Sequence, residues 1–129
     1  MTLSPDTAAV KAMLDRKPGA VAVPYTPSRS ASPISLMYKV MAKVFAILTL
    51  RGTAFVVLKC DPHLAEILRE QYAGIGHRTH VDRRYWISID LGTDVPLEEI
   101  ERLIGHSYDL VSAGLTRRQK AELAALSLP

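Results

Sequence analysis

A chain of 129 residues with 48% apolar and 22% charged residues is long enough for one packed core and too apolar for wholesale disorder. Its net charge of +3 is compatible with an acidic partner without requiring one, and its one cysteine, Cys60, excludes an internal disulfide and a thiolate-rich zinc site. No basic-then-apolar leader opens the sequence, and an apolar run such as residues 44–48 falls far short of the ~20 residues that cross a bilayer. The expectation is therefore a single domain over residues 1–129, cytoplasmic and monomeric, with no membrane contact.

Ser4-Pro5-Asp6 reads as a helix start, with a side-chain cap, proline at the first helical position and an acid where the helix dipole favours it. Val10, Met13 and Leu14 recur at helical spacing, and Pro18-Gly19 ends the run. Residues 20–33 hold Pro24, Pro27 and Pro33 with Ser28, Ser30 and Ser32, a composition that resists both helix and central strand and predicts a mobile loop. Residues 34–40, 43–50 and 53–59 are β-rich and predict a three-stranded antiparallel meander. Gly52 suits its second turn, whereas Met41-Ala42 is a poor turn pair for the first.

Asp61 and Pro62 open a helix with an apolar stripe of Leu64, Ile67, Leu68 and Tyr72, closed by Gly74 and Gly76. Residues 77–91 then predict a hairpin turning near Asp82-Arg83. Ile87, Ile89 and Leu91 alternate with Arg84, Trp86, Ser88 and Asp90, which places the only Trp on the polar side of a half-buried strand. Asp94-Val95-Pro96 begins a longer helix, with Glu98, Glu99 and Glu101 in its early turns and Ile100, Leu103, Ile104, Leu110 and Val111 towards the core. Gly114 stops it, and Thr116 with Gln119 forms a capping box for a last helix carrying Leu123 and Leu126. The predicted core includes Leu68, Ile87, Ile89, Ile100, Leu103 and Leu110.

Four motifs in consistent order carry a resemblance. Lys39-Val40-Met41-Ala42-Lys43-Val44-Phe45, Lys59-Cys60-Asp61-Pro62, His80-Val81-Asp82-Arg83-Arg84-Tyr85-Trp86 and His106-Ser107-Tyr108 resemble the MmcQ/YjbR family of small bacterial proteins. In that family the first motif holds Gly-Gly where Met41-Ala42 stand, and a His precedes the Trp where Tyr85 stands. The resemblance implies a two-layer α+β domain similar to the frataxin-like fold, an antiparallel sheet of about five strands with helices on one face. It also implies a DNA-binding candidate through a double-wing arrangement, in a family of no secure activity.

The residues themselves support two non-enzymatic readings. Arginines for phosphate and an aromatic face for a base are the minimum kit for nucleic-acid contact, and Lys39, Lys43, Arg78, His80, Arg83, Arg84 and Trp86 supply it. The alternative is a protein-interaction module that uses an open sheet face around Trp86 as its anchor. Against both stands a plain solvated hairpin whose Trp covers the core edge. No enzyme, cofactor or metal is expected: His106 and Ser107 are helix neighbours ~100° apart, His77 and His80 fall on opposite strand faces, and Cys60 between Leu58 and Leu64 reads as a small core residue. The resemblance to the frataxin-like fold implies a much longer acidic ridge for iron handling than Glu98, Glu99 and Glu101 supply, and Arg117 and Arg118 read as surface charge.

Overall fold

The computed structural model describes residues 3–25, 35–50, 53–77 and 82–126. Helix α1 (Pro5–Asp15) starts as Ser4 and Pro5 dictate, the Ser4 hydroxyl accepting the Thr7 N–H at 3.2 Å. Val10 and Leu14 of α1 are fully buried. Its last turn is tied to the sheet by Tyr38, whose hydroxyl donates to Asp15 at 2.7 Å, while Lys11 donates to the other carboxylate oxygen. Burial alone would raise the Asp15 pKa, but the bonds from Lys11 and Tyr38 hold it below the ordinary value. Burial and the adjacent carboxylate raise that of the Tyr38 phenol.

The sheet has six strands, β1 (Ala20–Tyr25), β2 (Ser35–Val40), β3 (Lys43–Thr49), β4 (Phe55–Lys59), β5 (Ile75–Gly76) and β6 (Trp86–Asp90), in the order β1-β2-β3-β4-β6-β5 with every pair antiparallel. The meander forms as its β-rich runs predict. The sixth strand is a correction: the first part of the stretch read as a loop, Ala20–Tyr25, is β1. Its composition excluded only a central position, and β1 is an edge strand, where Pro24 can do without an N–H. The remainder of that loop reading, residues 26–34, lies outside the described residues. At the opposite edge β5 is two residues long. A proline on one edge and a very short strand on the other both limit sheet-to-sheet pairing.

The unpromising turn pair does form the first hairpin. Val40 pairs with Lys43, and Met41 and Ala42 take φ of 48° and 70°, the left-handed conformations that a two-residue hairpin loop requires and glycine adopts without strain. Just beyond it the β2–β3 register shifts. Tyr38 faces Ala46 but Lys39 faces Val44, which leaves Phe45 as the extra residue of a bulge. Phe45 turns into the core and meets the Tyr38 and Tyr108 rings edge-on, at centroid distances of 6.2 and 5.4 Å.

Strand register puts Tyr38, Ala46, Leu48, Val56, Leu58, Ile87 and Ile89 on one face, all buried. Helices α1, α2 (Pro62–Gln71) and α3 (Leu97–Ala113) cover that face, the arrangement that removes each apolar stripe from water. Two members of the predicted stripes do not join the core. On α2, Ala65 and Leu68 are buried while Ile67 is 45% exposed, so the buried line runs through Ala65 and leaves Ile67 outside it. On α3, Ile100, Leu103, Ile104 and Val111 are buried as expected, but Ser107 and Tyr108 complete the buried line and leave Leu110 half-buried at its margin. Helix α4 (Arg117–Leu126) begins with the Thr116–Gln119 capping box, both bonds at 3.1 Å, and packs only Leu123 against the core. Among the described residues no helix is long and apolar enough to cross a membrane.

Candidate functional site

The motif at residues 106–108 joins α3 to the sheet. Bulging at Phe45 frees a carbonyl from the ladder, and the buried Ser107 hydroxyl donates to it at 2.6 Å while accepting the Lys59 N–H at 2.9 Å. One hydroxyl thus satisfies two strands where their pairing lapses. The Tyr108 hydroxyl donates to the Pro18 carbonyl at 2.6 Å, and His106 Nε2 accepts the Asp61 N–H at 3.2 Å. Asp61 in turn caps α2, accepting the N–H groups of His63 and Leu64 at 3.0 and 3.1 Å. Each side chain of this triplet bonds to backbone of another element.

Cys60 lies in the same corner, 1% exposed, its N–H donated to the Tyr85 carbonyl at 2.7 Å. Burial, with the Asp61 charge beside it, pushes the thiol up to about 11, which disfavours the thiolate at neutral pH. Among the described residues no group of three or more His, Cys, Asp or Glu is placed to hold a metal ion.

The turn at residues 82–86 is built differently. The N–H groups of Tyr85 and Trp86 both donate to the Asp82 carbonyl, and the Asp82 carboxylate accepts the Arg84 N–H at 2.9 Å. These bonds, the backbone one first, hold the Asp82 carboxyl below its usual range. Arg84 folds back on Asp82 at 3.3 Å and lies over the Tyr85 ring at 5.4 Å. Strand β6 starts only at Trp86, so Arg84 belongs to the turn and not to the alternating polar side of the strand. From beneath, Arg69 of α2 donates to the carbonyls of Arg83 at 2.7 Å, Trp86 at 2.9 Å and Gly76 at 3.5 Å.

Two hollows flank this turn and share Pro62. One, of about 460 Å³, is lined by Tyr85, Trp86, Leu110, Cys60, Lys59, Asp61 and Asp82. The other, of about 390 Å³, is lined by Arg69, Arg83, Arg84, Glu66 and Glu70. A recess with two aromatic rings and a recess with three arginines and two glutamates thus sit on either side of one turn.

Of the residues expected at a site, Arg83, Arg84 and Trp86 come together here. Lys39 lies on the sheet face away from the helices, the same face as Trp86, but three strands away. Lys43 points to the helix side, where its ammonium donates to the Gly114 carbonyl at the end of α3. Arg78 and His80 lie outside the described residues. Lys59, paired across from Trp86 in the ladder and lining the aromatic hollow, is the cation that the sequence reading overlooked. Its strand alternation was legible; its neighbour across the ladder was not.

The sheet face away from the helices is closed at its centre. Val57 and Ser88 there are 0% and 3% exposed, whereas Val21 and Val23 on the β1 edge are 59% and 39% exposed. The expectation of an open face around Trp86 is narrowed accordingly to a half-buried Trp at one end of the sheet.

Comparisons with known proteins agree with this architecture. The YjbR family model matches residues 15–110. Uncharacterized protein YbdF of Escherichia coli O157:H7 is 31% identical over 85 residues, 65% of this chain and 70% of that protein. Uncharacterized protein YjbR of Escherichia coli K12 is 34% identical over 53 residues, 41% of this chain and less than half of its own length. Among solved structures, Deinococcus radiodurans protein DR2400, family-model domain DUF419, superposes with a TM-score of 0.78 over 99% of this chain and 94% of its own at 25% identity. A Pseudomonas syringae protein shares the fold over 69% of this chain and 86% of its own, with a TM-score of 0.57 and 24% identity.

Proposed function

The chain belongs to the YjbR family, and we propose that this member is a non-enzymatic domain that binds single-stranded nucleic acid at the turn of residues 82–86. The observation that carries the reading is the pair of hollows on either side of that turn, one aromatic with Tyr85 and Trp86, one presenting Arg83 and Arg84. A nucleotide needs both kinds of contact, a flat apolar surface for the base and guanidinium donors for the phosphate. A recess accepts a base only when that base is unstacked, which favours single strands over duplex. Lys59 adds a cation on the aromatic side, while Asp61 and Asp82 are occupied by the α2 cap and by Arg84.

Salt titration tests the reading. Affinity for a single-stranded oligonucleotide should fall with a log–log slope of about −0.7 per neutralised phosphate. Arg83→Ala should flatten that slope by about one contact. Trp86→Ala should weaken binding by roughly 1–3 kcal/mol at an unchanged slope. Loss at Arg83 with none at Trp86 would reduce the site to a diffuse basic surface.

One observation favours a second reading, a protein-interaction module: the exposed Val21 and Val23 on the β1 edge, away from the turn. Binding there would be nearly independent of salt and indifferent to Trp86→Ala.

A further inference from the structure

We infer that Arg69 is the positioning residue of the binding turn, fixing Trp86 and Arg83 from the α2 side rather than contacting ligand. The inference rests on the nucleic-acid reading above for its binding consequence, but not for its structural one. A five-residue turn with exposed side chains at residues 82–85 has little apolar burial of its own to hold it. Its backbone is instead gripped at both ends by one guanidinium: Nη2 of Arg69 reaches the Arg83 and Trp86 carbonyls at 2.7 and 2.9 Å, and Nε reaches the Gly76 carbonyl of β5 at 3.5 Å.

Drawing the Arg83 and Trp86 carbonyls towards α2 orients the peptide units that follow Arg83 and Trp86, and so brackets the Arg84-Tyr85 segment between two fixed planes. With the backbone so held, Tyr85 and Trp86 line one hollow and Arg83 and Arg84 the other. The Cys60 N–H holds the intervening Tyr85 carbonyl from the β4 side at 2.7 Å, so the turn is fastened from two elements. A planar fork that meets three carbonyls at once is a geometry lysine does not reproduce, since its ammonium is a compact point donor. Burial and the nearby Arg83 charge lower the Arg69 pKa, in keeping with a guanidinium packed beneath the turn.

Two variants test this, Arg69→Lys, which keeps the charge, and Arg69→Met, which keeps the stem without donors; near-UV circular dichroism selects the conditions in which each is folded. Trp86 is the only Trp, so acrylamide quenching of its fluorescence reports the turn without any ligand. Binding is read with a labelled single-stranded oligonucleotide of mixed sequence across a salt series. Both variants should bind about tenfold more weakly, because residues of the turn must be ordered on binding. Both should keep the wild-type salt slope and show steeper Trp86 quenching.

A slope reduced by about one contact with quenching unchanged would make Arg69 a phosphate ligand and overturn the inference. Wild-type quenching and affinity in Arg69→Lys would overturn it too, since charge alone would then suffice. Should the wild-type protein bind no oligonucleotide, the nucleic-acid reading falls by itself. The quenching comparison still decides Arg69: steeper in both variants sustains the clamp, unchanged in either rejects it.

Discussion

Residues 106–108 and residues 82–86 both lie in motifs that resemble those of the family, and they use their polar groups in opposite ways. In the first, the serine hydroxyl, the tyrosine hydroxyl and the imidazole each close a bond to backbone of another element, at the bulge, at Pro18 and at Asp61. In the second, backbone bonds and Arg69 hold the chain while Arg83, Arg84, Tyr85 and Trp86 remain at the surface or half-exposed. A polar motif is therefore no sign of chemistry by itself. What distinguishes a binding candidate is a backbone that is fixed by others and side chains that are left over.

Substitutions in the core and at the triplet should cost stability, and substitutions at the turn should cost binding. The largest effect is expected at Leu103, 1% exposed between α3 and the sheet, where Leu103→Ala should lose roughly 2–5 kcal/mol in denaturant unfolding. Ser107→Ala strands the Phe45 carbonyl and the Lys59 N–H and should cost about 2–3 kcal/mol, since an unmet buried polar group costs roughly 1–3. A Ser107→Ala protein of wild-type stability that had lost an activity would break the comparison, because the triplet would then be functional. Ala42→Gly should stabilise by about 1 kcal/mol, the strain of a non-glycine residue at φ of 70°. Arg83→Ala should change stability by no more than about 0.5 kcal/mol, its effect appearing in oligonucleotide binding alone.

Acid sharpens the comparison in another way. The Asp94 carboxylate accepts the Gly74 and Ala73 N–H groups, each at 2.8 Å, and these bonds depress its pKa below the ordinary 3.8. With a folded value below the unfolded one, its contribution is complete above the unfolded pKa and is lost as pH falls through the folded one. An acid titration followed by amide exchange should therefore release Gly74 and Ala73 only below about pH 4. Asp94→Asn should remove that step.

Much of the fold was legible because its signals are local. Ser4-Pro5, Asp61-Pro62 and Thr116 with Gln119 start helices by chemistry confined to a few residues, and the alternation of residues 87–91 fixes a strand. The β1 strand was hidden because Pro24 is forbidden only in a central strand, and an edge position is a property of the sheet. Ile67 and Leu110 fall off their expected stripes for a related reason: helical spacing names a stripe but not its rotation, which on α3 is set by the bonds of Ser107 to strands distant in sequence. Trp86 and its arginines were visible as a cluster, but Arg69 and Lys59 join it only through tertiary neighbours that no spacing records. The bulge at Phe45, on which the role of Ser107 depends, likewise arises from the pairing of two strands.

Fluorescence of Trp86 during titration with a single-stranded oligonucleotide at low salt tests the central claim most directly, because the only Trp lies in the proposed aromatic hollow. The account predicts saturable quenching as a base stacks, reversed by added salt as phosphate contacts are released. Emission that stays constant while the oligonucleotide is bound, or no binding at low salt, would contradict it.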